Sequence, residues 1–171
     1  MLETFYPDLY VDSTYSLPFE QLYEQGYRGI IFDVDNTLVP HGAPADERSL
    51  ELFRRLKNIG FSTCVLSNNK EPRVAPFAKL VDSPYIFKGN KPSRKGYRKA
   101  MEIMNTNESN TFFVGDQLFT DVWGAKRAGI YSILVKPIHP KEEIQIVLKR
   151  KLEKIVLHFY KKRIEKNERK N

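Results

Sequence analysis

Gly29-Ile30-Ile31-Phe32-Asp33-Val34-Asp35-Asn36-Thr37-Leu38-Val39 decides how this chain is read. An apolar run of strand character ends in two aspartates with one residue between them, followed by Asn and Thr. Side chains alternate along a strand, so Asp33 and Asp35 can share a direction while Val34 points away. A buried parallel strand with carboxylates at its C-terminal end is a common way to build a site in an α/β fold. Two adjacent carboxylates repel, and both stay ionised most easily with a cation between them. The stretch therefore points to a carboxylate-held metal and to chemistry on an anionic substrate. An acidic turn closing a strand is the plainer reading, but such a turn has little need of so apolar an approach.

Downstream, helices and strands alternate. Asp46 is a candidate N-cap for a helix carrying Leu50, Phe53, Leu56 and Ile59 and ending at Gly60. Phe61 to Leu66 reads as a buried strand stopping at Ser67-Asn68-Asn69, and a weaker helix from Pro72 to Val81 should kink or break at Pro76. Tyr85 to Phe87 is a short strand, Ser93 caps a helix through Met104, and Thr111 to Val114 is a strand ending in Gly115-Asp116-Gln117. A helix from about Thr120 to Ala128 and a strand from Tyr131 to Val135 complete the series. Such alternation implies a doubly wound parallel α/β sheet of about five strands, whose ligand binds beyond the strand C-termini. Asp33/Asp35/Thr37, Ser67/Asn68, Lys91 and Asp116/Asp121 all fall there.

The length of 171 residues suits one domain with a single sizeable core. A lone cysteine, Cys64, rules out an internal disulfide framework, fits a reducing cytoplasm and reads as core. No basic-then-apolar leader opens the chain, and no apolar run is long enough to span a bilayer. Scattered histidines leave hard oxygen ligands as the metal-binding set, and Mg²⁺ prefers these. The net charge of +7 is concentrated: residues 141–171 hold eleven Lys or Arg against five Glu. The chain thus divides into a core over 1–140 and a basic amphipathic helix or tail over 141–171.

Carboxylates enclosing a cation, a hydroxyl at Ser67 and a compact positive charge at Lys91 make the electrostatic clamp that phosphoryl transfer requires. The chain resembles the haloacid dehalogenase (HAD) superfamily, whose Asp-x-Asp-x-Thr motif matches Asp33-Val34-Asp35-Asn36-Thr37. Ser67, Lys91-Pro92 and Gly115-Asp116-Gln117-Leu118-Phe119-Thr120-Asp121 match the other three motifs, in order. The resemblance implies a Rossmann-like core, Asp33 as nucleophile and Asp35 as general acid/base. It further implies Mg²⁺ held by Asp33, the Asp35 backbone carbonyl and Asp116 with support from Asp121, and phosphate bound by Thr37, Ser67, Asn68 and Lys91. Within that superfamily a carboxylate two residues after the nucleophile marks phosphatases and phosphotransferases rather than dehalogenases, and Asp35 would supply it. The aromatic N-terminal segment, Ser67-Asn68-Asn69 and Gly115-Asp116-Gln117 are most similar to the YqeG-like subfamily, related to phosphatidylglycerophosphate phosphatases.

Thirty positions separate Thr37 from Ser67 and twenty-four separate Ser67 from Lys91, which leaves no room for a cap domain. An open site suits a phosphate displayed on a lipid surface or macromolecule. In the tail, Ile144, Leu148, Ile155, Phe159 and Ile164 share a broad stripe flanked by Lys149, Arg150, Lys154, Lys161 and Lys162. It can lie on an anionic membrane or pack on the core. A nucleic-acid role has no accompanying motif and ranks lower. Phe5, Tyr6, Tyr10, Tyr15, Phe19, Tyr23 and Tyr27 read as cover for a sheet edge, and Trp123 as core. The expected activity is a phosphomonoesterase, with phosphatidylglycerophosphate the leading substrate, in the cytoplasm or at the inner membrane face. The alternatives are a soluble phosphometabolite or phosphoprotein as substrate, and a non-catalytic RNA- or ribosome-binding protein.

Overall fold

The computed structural model describes residues 2–139 and 144–169. Its strands are β1 (Leu9–Val11), β2 (Gly29–Phe32), β3 (Ser62–Leu66), β4 (Tyr85–Ile86), β5 (Thr111–Gly115) and β6 (Tyr131–Val135). The helices are α1 (Phe19–Glu24), α2 (Glu47–Ile59), α3 (Glu71–Leu80), α4 (Arg94–Met104), α5 (Trp123–Arg127) and α6 (Ile144–Glu168). The strands form one parallel sheet in the order β1-β6-β5-β2-β3-β4.

β2 lies at the centre because all four of its residues are apolar or small and can be buried on both faces. Ile31 pairs in register with Cys64 on one side and Phe113 on the other. With Leu66, these residues face Tyr97, Ala100 and Met101 of α4 and Ala125 of α5. Ile30 and Phe32 point the opposite way, onto Leu52, Phe53 and Leu56 of α2 and Val74, Phe77 and Ala78 of α3. Helices on both faces confirm the doubly wound sheet. Asp46 does cap α2: its Oδ1 accepts the Ser49 N–H at 2.8 Å, and Ser49 Oγ accepts the Asp46 N–H at 2.9 Å. Such caps contribute about 1 kcal/mol. Gly60, at φ 114°, closes the helix in the left-handed region.

Four expectations change. Among the described residues the sheet has six strands rather than about five, because Leu9–Val11 adds β1 beside β6. α3 runs through Pro76 instead of breaking, since the ring removes only one N–H from the ladder. The helix expected from about Thr120 begins earlier, as a π-helical turn over Leu118–Val122 that passes into α5. Trp123 is half-buried rather than core, edge-on to Phe5 with ring centroids 5.4 Å apart.

α6 packs across Leu118, Val122 and Leu134 with Val156 and Leu157, and over the N-terminal rings of Phe5, Tyr6 and Tyr10. Of the two readings left open for the apolar stripe, packing on the core is therefore not the one its described residues follow. Leu148, Leu152, Ile155 and Phe159 stand outward, between 46% and 60% exposed. The 140/141 boundary and the side chain of Ile144 lie outside the described residues. Among the described residues, no helix is long and apolar enough to cross a membrane.

Candidate active site

β2 ends at Phe32, so the aspartate pair lies just past the strand and strict alternation no longer governs it. Asp33 keeps the sheet register, its N–H donating to the Val114 carbonyl at 3.0 Å. The chain then turns. The Thr37 and Leu38 N–H groups donate to the Val34 carbonyl, and Asn36 adopts φ 61°, a conformation Asn tolerates well. The turn separates the partners of the two carboxylates. Asp35 accepts the Gly42 N–H (2.8 Å), Asn69 Nδ2 (2.8 Å) and Arg73 Nη2 (2.8 Å). Asp33 instead meets Lys91 and Thr37. Both still line the same cleft, of about 210 Å³, with His41, Ser67, Asn68, Asn69, Lys91, Gln117, Thr120 and Lys149.

Lys91 is held at both ends. Asn68 Oδ1 accepts its backbone N–H at 2.7 Å, and Asn68 Nδ2 donates to its carbonyl at 3.1 Å. Its ammonium donates to Asp33 Oδ1 and Asp121 Oδ1, each at 2.7 Å. The π-helical turn explains how Asp121 arrives: its Oδ2 folds back to accept the Asp116 and Gln117 N–H groups, both at 3.1 Å. A Cβ on Gly115 would lie 2.5 Å from that oxygen, so only glycine leaves it room. Thr37 does not line the cleft. Its hydroxyl donates to Asp116 Oδ1 at 3.1 Å, with Asp33 Oδ2 at 3.5 Å. Ser67 is buried, and its Oγ accepts the Asn69 N–H at 3.1 Å.

Asp33, Asp116 and Asp121 each offer one oxygen, and the three oxygens lie within 4.8 Å of one another. The Asp35 carboxylate stands outside this group. Among the described residues, four buried carboxylates (these three and Glu153) face the two cations Lys91 and Arg150, a formal deficit of two positive charges. Desolvation pushes Asp33 up to about 6, with Lys91 opposing and Asp121 adding to the rise. Desolvation, then the Asp33 and Asp121 charges, raise Asp116 well above the carboxylate range despite Arg150. Burial alone would lower the Lys91 ammonium, but the Asp121 and Asp33 carboxylates carry it upward. Protons or a divalent cation would fill the deficit. Three hard oxygen donors suit a cation such as Mg²⁺ or Mn²⁺ and not a soft one.

Three contributors escape a reading of the sequence. Arg73, in the first turn of α3, anchors Asp35. Arg150 of α6 donates to both the carbonyl and Oδ2 of Asp116, and Glu153 accepts the Leu118 N–H at 2.8 Å. The opposite charges of Arg150 and Glu153, three residues apart within a run of lysines, are the available signal for an inward pair.

A family model described as haloacid dehalogenase-like hydrolase matches residues 42–129. "Probable phosphatase YqeG" of Bacillus subtilis (strain 168) is 35% identical over 165 residues, covering 95% of this chain and 96% of that protein. A putative HAD family hydrolase from Streptomyces avermitilis superposes with a TM-score of 0.52 at 18% identity, over 71% of this chain and 72% of its own. The cobalt-bound deoxy-D-mannose-octulosonate 8-phosphate phosphatase of Haemophilus influenzae gives 0.50 at 12% identity, over 71% and 82%. The two structures share the fold, while the family match and the long alignment with the Bacillus protein speak for descent. The chain belongs to the haloacid dehalogenase-like hydrolases.

Proposed function

We propose that this hydrolase is a Mg²⁺-dependent phosphomonoesterase working through an aspartyl-phosphate on Asp33. The observation that carries this reading is the Lys91 ammonium, 2.7 Å from both Asp33 and Asp121, beside a buried oxygen trio of which Asp33, like Lys91, lines the cleft. Asp33, the Asp35 carbonyl and Asp116, supported by Asp121, would hold the cation, which neutralises phosphoryl charge when bound. Lys91, Ser67 and Asn68 would hold the phosphoryl group, with Thr37 keeping Asp33 and Asp116 in place. An Asp33 oxygen attacks phosphorus as the bond to the leaving oxygen breaks, and Asp35 gives that oxygen its proton. Asp35 then takes a proton from the water that attacks the same phosphorus. The Asp33–phosphorus bond breaks, free phosphate leaves and the carboxylate is restored. Arg73, Asn69 and the Gly42 N–H fix Asp35 at the cleft, where a leaving oxygen would stand.

Phosphatidylglycerophosphate is the substrate we favour. The subfamily resemblance, the short connections around the cleft and the basic α6 all support a phosphate presented at a membrane surface. The outward stripe of Leu148, Leu152, Ile155 and Phe159, beside Lys151 and Lys154, would rest on anionic lipid at the inner face of the membrane. Lys149, from the same helix, lines the cleft. Phosphate release from an aryl phosphate tests the chemistry. Wild type should turn over and lose activity to excess chelator, and Asp33→Asn should be inert; equal release by both proteins would refute the mechanism. Turnover of phosphatidylglycerophosphate in vesicles against a panel of soluble phosphates tests the substrate, and a clear preference for soluble esters would reject the lipid.

A further inference from the structure

Arg150 reaches Asp116 across 34 positions of sequence. Its Nη1 donates to the Asp116 carbonyl and its Nη2 to Asp116 Oδ2. The same Nη1 donates to Glu153 Oε2 at 3.0 Å, and Glu153 Oε1 accepts the Leu118 N–H at 2.8 Å. Gripping a carbonyl and a carboxylate of one residue together fixes the torsions between them. Thr37 takes the other carboxylate oxygen, so Asp116 has a single orientation. The pair is expensive to bury: the Arg150 side chain is 15% exposed and that of Glu153 6%. An apolar pair of similar volume would dock α6 as well or better, so helix packing alone does not account for it. Orienting a carboxylate is something an apolar pair cannot do.

We propose that Arg150 is a positioning residue for Asp116, setting its carboxylate for a divalent cation and so making cation binding and docking of α6 support one another. The proposal rests on the cation reading above. Glu153 offsets the charge of Arg150, so the pair orients Asp116 with less repulsion against the cation than a lone guanidinium would bring. Linkage makes the coupling reciprocal: if a docked α6 favours the cation, the cation favours a docked α6.

Titration calorimetry of the full chain with Mn²⁺ tests the first half. The variant to use is the double substitution Arg150→Met/Glu153→Met, which removes the orienting contacts and leaves the net charge unchanged. Its affinity should fall about tenfold or more, as for lost outer contacts to a metal-bound carboxylate. Arg150→Lys keeps the charge without the fork and should recover only part of that loss. Hydrogen exchange tests the second half: Mn²⁺ should slow the amides of residues 147–157 in wild type and leave them unchanged in the double variant. Equal or tighter Mn²⁺ binding by the double variant, or faster exchange in α6 on adding Mn²⁺, overturns the proposal. Should the double variant fail to fold by circular dichroism, exchange in wild type decides alone. A wild-type chain that takes up no Mn²⁺ sinks the cation reading and this proposal with it. Uptake that the variants match rejects only the role of Arg150.

Discussion

At the ends of β2 and β5, Asp33, Asp116, Asp121 and the facing Lys91 are all buried and bound to their neighbours. Along α6 the lysines from Lys149 to Lys166 are exposed, and among its described charged residues only Arg150 and Glu153 turn inward. Both regions are dense in charge, but buried charge must be met by another charge, a proton or a cation, and each substitution there leaves something unanswered. Solvated charge needs no partner, so it constrains neither its own position nor the apolar residues beside it. The same substitution placed in each region exposes the contrast. Lys91→Met strands two buried carboxylates, and should cost about 3–5 kcal/mol of stability together with about 10²–10³-fold in turnover. Lys154→Met should change stability by less than about 0.5 kcal/mol. Urea unfolding and phosphate release read both, and similar costs at the two sites would break the comparison.

The deficit at the sheet end also has a pH signature. Burial pushes the Asp33 carboxyl up to about 6 in the folded chain, against about 3.9 in an unfolded one. The folded state then binds more protons across that window, so this group's contribution is fully present below about 4 and lost as pH rises through about 6. Chelated protein should therefore lose up to about 3 kcal/mol between pH 4 and pH 7 from this group, with Asp116 adding in the same direction. Saturating Mg²⁺ should remove most of that loss above pH 6, because the cation then takes the place of the protons. Stability that rises over this range without metal would contradict the assignment of the buried charge.

A smaller effect is expected at Gly115. The Cβ of Gly115→Ala would press within 2.5 Å of Asp121 Oδ2. It must push that carboxylate off the Asp116 and Gln117 N–H groups, at a cost of about 1–3 kcal/mol. Wild-type stability with unchanged Mn²⁺ affinity would show that the turn yields more easily than its geometry implies.

The contrast between the regions also explains how much of the molecule is legible in its sequence. Asp33, Ser67 and Asp116 are legible as candidates because each polar residue directly closes an apolar strand, and Lys91 because it stands in the polar loop after β4. Central strands such as β2 and β5 are legible because burial on two faces leaves an unbroken apolar run. β1 is not, because three partly buried residues between polar flanks carry no period. The π-helical turn is hidden because its residues suit any helix, and what selects it is Asp121 folding back onto backbone N–H groups that only the fold brings near. Arg73 and Arg150 find their carboxylates 38 and 34 positions away, a distance over which no local pattern runs. The inward face of α6 is hidden for a related reason: it is led by Arg150 and Glu153, whose buried partners lie far off in the sequence.

The two faces of α6 yield the smallest predicted effect and the closest comparison, between consecutive residues. Val156 is 4% exposed and packs with Leu118, Val122 and Leu134, whereas Ile155 is 54% exposed. Removing two methyl groups from a buried side chain costs about 1–2 kcal/mol, so Val156→Ala should lower stability by that amount in chemical denaturation. Ile155→Ser should change it by less than about 0.5 kcal/mol, since little burial is lost. If α6 rests on anionic lipid, the order reverses on vesicles containing phosphatidylglycerol. There Ile155→Ser should weaken binding measurably, because the removed side chain would have entered the interface, and Val156→Ala should leave it unchanged. Equal binding by both variants would mean that the outward stripe is not what meets the membrane, and the lysines beside it would then have to act by charge alone.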